Sequence, residues 1–291
     1  MPLLLRYLQG LTDSNPENSI HQRERRVYWR NDCVESRYCF PMRVNLERTE
    51  HRPWPLPAGG WVMAQSWHDL LFAHWPLPET VLRPHIPASL AIDTFAGQGW
   101  LGVVPFRMSG VRLRGTPAVP WLSAFPELNV RTYVVANEKP GVWFFSLDAG
   151  NWLAVAIARA WFHLPYFRAR MSCEERNGWI EYKCGRSHRG VPGGVLNGRY
   201  RAIGEVFSAV PGSLDHFLTE RYCLYTADKD GQVISGEIHH APWPLQTAEA
   251  ELISNTMPKA VGIYLAPAEP LLHFSKRQDV VVWQPRRLVL R

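Results

Sequence analysis

Side chains able to do chemistry alternate along one apolar run, Phe125-Pro126-Glu127-Leu128-Asn129-Val130-Arg131-Thr132-Tyr133-Val134. In an extended strand successive side chains point to opposite faces. Glu127, Asn129, Arg131 and Tyr133 therefore share one face, and Leu128, Val130, Thr132 and Val134 the other. A carboxyl in a dry pocket has its pKa raised and can act as general acid or base. A guanidinium, Arg131 here or Arg107 nearby, can hold a substrate carboxylate through two parallel hydrogen bonds, with Asn129 beside it. The row is either wet outer surface or the lining of an enclosed polar pocket. Glu127 and Arg131 lie about 13 Å apart along a strand, so they form no direct pair. The structural alternatives are a hydrogen-bonded core glutamate and an arginine paired with Asp148.

This run is the middle of three alternating strands, between GQGWLGVVPFRMSGVRL and GVWFFSLDA. The long Pro-rich connection at 110–126 has the character of a functional rim. WVMAQSWHDLLFAHWPLP supplies one or two strands ending at prolines, and its His68 and His74 read as ordinary structural histidines, since no third ligand is near. Pro78 suits the first turn of a short helix that Pro84 and Pro87 end. NWLAVAIARAWF is apolar nearly all round and predicts a buried helix, capped by Asp148 or Asn151. Asn177-Gly178 is a strong hairpin signal, Asp230-Gly231 marks a second hairpin, and Ser213 can cap LDHFLTE. His239 and His240 are adjacent on a strand, so at most one of them faces inward. Further strands fit Leu245–Ile253, Leu271–Ser275 and Val280–Trp283. Strands dominate with no βαβ alternation, which predicts a mainly antiparallel sheet curled on itself.

Bulk composition narrows the function classes. The 291 residues, 46% of them hydrophobic, fit one large domain with an extension. Net charge is +6 with no dense basic run, which argues against a nucleic-acid footprint. The five cysteines, Cys33, Cys39, Cys173, Cys184 and Cys223, contain no C-x-x-C, so neither a disulfide framework nor a zinc site is expected. No apolar run is long enough for a membrane-spanning helix. MPLLLRYLQGLTDS is too short in apolar residues for a secretory signal, and nearby acids argue against a transit peptide. Residues 1–57 have sparse apolar residues, no period and a stiff end at Pro53-Trp54-Pro55-Leu56-Pro57. They read as a poorly ordered extension, and a misplaced start codon would look the same.

The succession DLLFAHWPLP, VLRPHIPASLAIDTF, WLGVVPFRM, AFPELNVRTYV, GVWFFSLDA, FHLPYFRARM, FLTERYCLYT and IHHAPWPLQ resembles the DUF2071 (YqjF-like) family over residues 58–285. That resemblance implies the acetoacetate decarboxylase-like superfamily, whose fold is a closed, mostly antiparallel β-barrel around a pocket. Ile86-Pro87-Ala88-Ser89-Leu90 is similar to the Pro-x-x-Leu motif of acetoacetate decarboxylases, and Phe125-Pro126-Glu127 to their aromatic-x-glutamate. Their Schiff-base lysine sits in a Pro-Lys-Lys turn after a helix. The matching place here is Pro165-Tyr166-Phe167, where both lysines are absent. An imine needs an amine of lowered pKa. Of Lys139, Lys183, Lys229, Lys259 and Lys276, only Lys183, on a hairpin strand, is a candidate nucleophile. His163 and Tyr166 border the vacated place, where a histidine could move a proton or bond a backbone carbonyl.

The expectation is a mainly β (α+β) fold. It is a closed antiparallel barrel of acetoacetate decarboxylase-like type with two or three short helices, formed by residues 58–291 after the extension at 1–57. Its expected partner is a small, carboxylate-bearing organic molecule in the barrel pocket. Glu127, His163 and Tyr166 are the candidate catalytic residues, and Arg107, Asn129, Arg131 and Asp148 the candidate substrate-binding residues. No metal, cofactor, nucleic acid or membrane is expected. The compartment is the cytoplasm, self-association into a homo-oligomer is left open, and Schiff-base decarboxylation is not expected. The competing class is a non-catalytic ligand sensor or protein-interaction module.

Overall fold

The computed structural model describes residues 44–119, 121–153, 155–156, 159 and 163–289. One sheet holds thirteen strands: β1 (Met63–Leu77), β2 (Ala91–Ile92), β3 (Gly99–Leu113), β4 (Phe125–Ala136), β5 (Lys139–Ala149), β6 (Tyr166–Arg176), β7 (Trp179–Arg186), β8 (Val195–Phe207), β9 (Cys223–Ala227), β10 (Val233–His239), β11 (Leu245–Asn255), β12 (Leu271–Val282) and β13 (Arg286–Arg287). Short helices α1 (Glu79–Leu82) and α2 (Leu214–Thr219) join them, with 3₁₀ turns at Arg83–His85 and Lys259–Val261, and Trp152, Leu153, Val155, Ala156 and Arg159 are helical as well. The strands neighbour one another in the order β13-β10-β9-β5-β6-β7-β8-β11-β12-β1-β3-β4-β2, with further pairings of β4 to β5 and β10 to β12. A mainly β chain with few helices is thus what the patterning predicts.

Two pairings are parallel, both on β5: Leu147 beside Tyr166 of β6, and Val142 beside Leu224 of β9. Parallel neighbours need long crossovers, and residues 150–165 supply one. A Cβ at Gly141 would come within 2.7 Å of the Cys223 carbonyl, so the close β5–β9 approach requires glycine.

Local chemistry explains most boundaries. Asn177 and Gly178 adopt φ of 50° and 77° between β6 and β7, as a two-residue hairpin of primed type requires. The Ser213 side chain accepts from the His216 amide at the start of α2. Pro78 precedes α1, whose last turn passes into the 3₁₀ turn containing Pro84.

Several expectations need correction. β1 is one strand, with a bulge at Asp69 (φ 54°). Trp67 and Phe72 both touch the Trp243 ring although an odd number of residues apart, because the bulge shifts the alternation. Hence His68 and His74 lie on opposite faces. β12 is likewise continuous through its charged middle, where Arg277 and Gln278 pair with His68 and Trp67. His239 and His240 are both buried, because cover lies on both sides of β10's end. Of the helix predicted at 151–162, residues 154, 157, 158 and 160–162 lie outside the described residues. Asn151 caps the Leu153 amide, and Val155 is buried while Trp152, Ala156 and Arg159 are exposed. Of the described residues in this stretch, Val155 alone is buried.

Cys173, Cys184 and Cys223 are free thiols. Residues 1–43, most of the expected extension, lie outside the described residues. The described end of that stretch is held to β10: buried Arg52 donates to the Ile238 carbonyl at 2.6 Å, and Trp54 Nε1 to Glu237 at 2.9 Å. No helix among the described residues is long and apolar enough to cross a membrane.

Candidate functional site

β4 is buried on both faces, so its alternation separates two environments. On one side Leu128, Val130 and Val134 pack with Leu71, Val103, Tyr182 and Tyr200. On the other stand Glu127, Asn129, Arg131 and Tyr133. Glu127 is 2% exposed and Asn129 5%. Of the two alternatives for this row, the structure therefore selects enclosure over wet surface.

Strand register decides what else shares that enclosed face. Phe106 and Val104 of β3 lie beside Glu127 and Asn129, and Gly102 beside Arg131. His74 of β1 lies next to Gly102. Phe72 and Leu70 lie beside His273 and Ser275 of β12. Trp243 packs edge-on against Phe72 at 5.0 Å. The wall is thus apolar with a few polar groups, the usual make-up of a small-molecule site.

α2 covers one end. The Leu218 carbonyl accepts from Tyr133 Oη at 2.7 Å and from Arg131 Nη2 at 3.3 Å. Since Tyr133 spends its proton there, its oxygen accepts from His74 Nε2 at 2.7 Å. His74 is therefore an Nε2–H tautomer, and burial beside Arg131 holds its pKa well below the ordinary value. His273 Nε2 meets Asp215 of α2 at 3.0 Å, and burial lowers its pKa as well. That leaves Nδ1 of both histidines without a partner, together with Asn129 Oδ1, Arg131 Nε, Ser275 Oγ and Trp243 Nε1. Buried polar atoms are nearly always satisfied, so a face that gathers this many open valences is one that a ligand or water completes.

At the other end Tyr166 Oη donates to Glu127 Oε2 at 2.9 Å. Burial pushes the Glu127 pKa up to about 8, the Tyr166 bond opposes the rise, and Asp148 adds to it. Glu127 thus carries its proton at neutral pH. Its backbone is pinned from the opposite face by Tyr182 Oη, which donates to the Glu127 carbonyl at 2.6 Å. Tyr166→Phe should raise the Glu127 pKa further, because it removes the one bond that favours the anion. Infrared titration of the protonated carboxyl checks this; an unchanged or lower midpoint contradicts the assignment.

The structure brings Glu127, Tyr166, Asn129 and Arg131 to one face and places the other candidates elsewhere. Arg107 pairs with Asp69 at 3.1 Å and stands beside Pro126, on the side opposite Glu127. Asp148 stands beside Leu128, and neither Arg131 nor Arg107 is its partner. Arg186 is, through two 2.7 Å bonds. His163 is exposed with φ of 53°, and its carbonyl accepts from Thr226. Residue types alone missed His273 and Ser275, whose only signal was polarity at alternate places in the apolar LLHFS. Lys139 and Lys276 are in ion pairs, and Lys183, Lys229 and Lys259 are exposed.

A mostly β sheet is the frame shared with several known proteins. Residues 64–279 match the DUF2071 family, described as an uncharacterized conserved protein. The chain is 45% identical over 241 residues to the uncharacterized protein YqjF of Bacillus subtilis (strain 168), covering 83% of this chain and 98% of that one. The chain belongs to the DUF2071 family. Similar solved structures include the enduracididine biosynthesis enzyme MppR complexed with pyruvate, with a TM-score of 0.53 at 10% identity, covering 81% of this chain and 93% of that one. Acetoacetate decarboxylase from Legionella pneumophila matches with a TM-score of 0.51 at 11% identity, covering 82% and 94%. An acetoacetate decarboxylase-like enzyme from Sphingomonas wittichii RW1 matches with 0.53 at 12%, covering 79% and 94%. At such identities the likeness is one of fold.

Proposed function

We propose that this protein binds a small carboxylate-bearing organic molecule against the polar face of β4. In this reading the sheet closes into a barrel through β5, β4, β3, β1, β12, β10 and β9, with α2 covering one end. The observation that carries it is Arg131. Its guanidinium lies on an enclosed face with no carboxylate in ion-pair range among the described residues, while Asn129 Oδ1 beside it has no donor. A substrate carboxylate answers the first need, and a hydroxyl or amide proton the second.

The same face offers proton transfer at two walls. Glu127, protonated at neutral pH, is placed to act as general acid. Neutral His273, oriented by Asp215, presents Nδ1 as a base. No imine enters this reading, since Tyr166 occupies the place that the resemblance matched to a lysine.

Because the similar structures include a pyruvate complex and acetoacetate decarboxylases, pyruvate and acetoacetate are the first probes, with their methyl esters as neutral controls. Calorimetric titration should show the acids binding at least about tenfold tighter than the esters, and Arg131→Ala weakening the acids by about tenfold or more, the worth of a charged hydrogen-bonded pair. Equal affinity for acid and ester, or an unaffected Arg131→Ala variant, overturns the proposal.

A further inference from the structure

We infer that a second, outward-facing site binds a small organic anion at the start of β6, independently of the enclosed face. A cleft of about 390 Å³ opens there, lined by Val155, Ala156, Arg159, Arg168 and His188. Three nitrogen-rich side chains thus surround one small concavity, and Val155 and Ala156 give it an apolar floor.

The cations are held in place yet carry no counter-charge among the described residues. Arg159 Nη1 donates to the Tyr166 carbonyl at 2.7 Å, and its guanidinium lies over the Phe167 ring. Arg168 lies over Trp152, and its backbone amide donates to His188 Nδ1 at 3.2 Å. That bond sets the His188 tautomer: Nδ1 accepts, so Nε2 carries the proton and is a donor. Among the described residues no carboxylate is in ion-pair range of Arg159 or Arg168. Asp148, the acid whose charge reaches His188, is taken by Arg186 through both oxygens. Burial, then Arg159, Arg168 and Arg186, lower the His188 pKa, which keeps the ring neutral among positive neighbours.

Like charges gathered around a concavity repel one another, and an anion converts that repulsion into attraction. Aromatic faces beneath Arg159 and Arg168 orient the guanidinium groups, so less freedom is lost on binding. The ligand class is therefore a carboxylate or phosphate monoester head on a compact apolar body. The head meets the two guanidinium groups and His188 Nε2–H, and the body rests on Val155 and Ala156. The volume suits a molecule of roughly ten to fifteen heavy atoms.

The test titrates the full chain with phenyl phosphate and phenylacetate, with benzyl alcohol as neutral control, by calorimetry at low salt. The Arg131→Ala variant is titrated in parallel, which separates this cleft from the enclosed face. Expected are saturable binding of at least one anion, an affinity changed less than about threefold by Arg131→Ala, and a loss of about tenfold or more in Arg159→Ala/Arg168→Ala. Should that double variant fold poorly, Arg168→Gln alone, at an exposed position, should weaken binding about threefold or more. The proposal is overturned if neither anion saturates, if benzyl alcohol binds as well, or if the arginine variants bind like the parent. Loss of binding in Arg131→Ala alone would assign the anion to the enclosed face and overturn it too.

Discussion

Arg186→Met is expected to destabilise the protein by about 3–5 kcal/mol, the usual cost of removing one partner from a buried ion pair. The Asp148 and Arg186 side chains are 0% and 2% exposed, and the fork of Arg186 fills both carboxylate oxygens. Burial raises the Asp148 pKa even with Arg186 present, so without it the carboxyl rises further and takes up a proton. The sign follows. A folded-state pKa above the unfolded one favours the fold at low pH, and that stability is lost as pH rises. The penalty of Arg186→Met should therefore be smaller in urea unfolding at pH 5 than at pH 8. Asp148→Leu/Arg186→Met should recover most of the loss, because no buried charge remains. A single variant as stable as the parent at pH 8 would show the pair to be energetically idle.

Glu127→Gln is expected to flatten the pH dependence of stability. With a pKa of about 8 against an ordinary value of 4.5, folding holds the Glu127 proton. The stability it contributes is full below pH 4.5 and is lost as pH climbs toward 8. Between pH 6 and pH 9 this one group should remove about 2–3 kcal/mol from the parent. Glutamine is neutral throughout and can still accept from Tyr166, so the variant should be near parent stability at pH 4, more stable by about 2 kcal/mol at pH 6 and more so again at pH 9. Parallel unfolding curves across that range would mean that Glu127 is ionised in the fold. In that case the general acid assigned to it disappears.

Much of the frame was legible in residue order. The Asn177-Gly178 turn, the Ser213 cap and the short helix after Pro78 follow from backbone preferences that act within a few residues. The Glu127–Asn129–Arg131–Tyr133 row was legible too, since alternation is a property of any strand. Two strand divisions were not. The charged middle of β12 reads as a break until β1 supplies its pairing partners, and the Asp69 bulge in β1 leaves no mark in hydropathy.

Membership of the site was harder to read, for a reason of parity. Moving a pairing register by one residue sends every side chain of a strand to the opposite face. Glu127 lies beside Phe106, so Arg107 falls on the far side; it lies beside Ala149, so Asp148 does as well. His273 joins the site only because its strand sets it next to Phe72 and α2 brings Asp215 to its ring. Residue order by itself determined that a polar row exists and which atoms compose it, because that depends on periodicity within one segment. Whether the row is enclosed, and which strands complete it, was decided by tertiary pairing, because the partner of each strand is a choice made among distant segments.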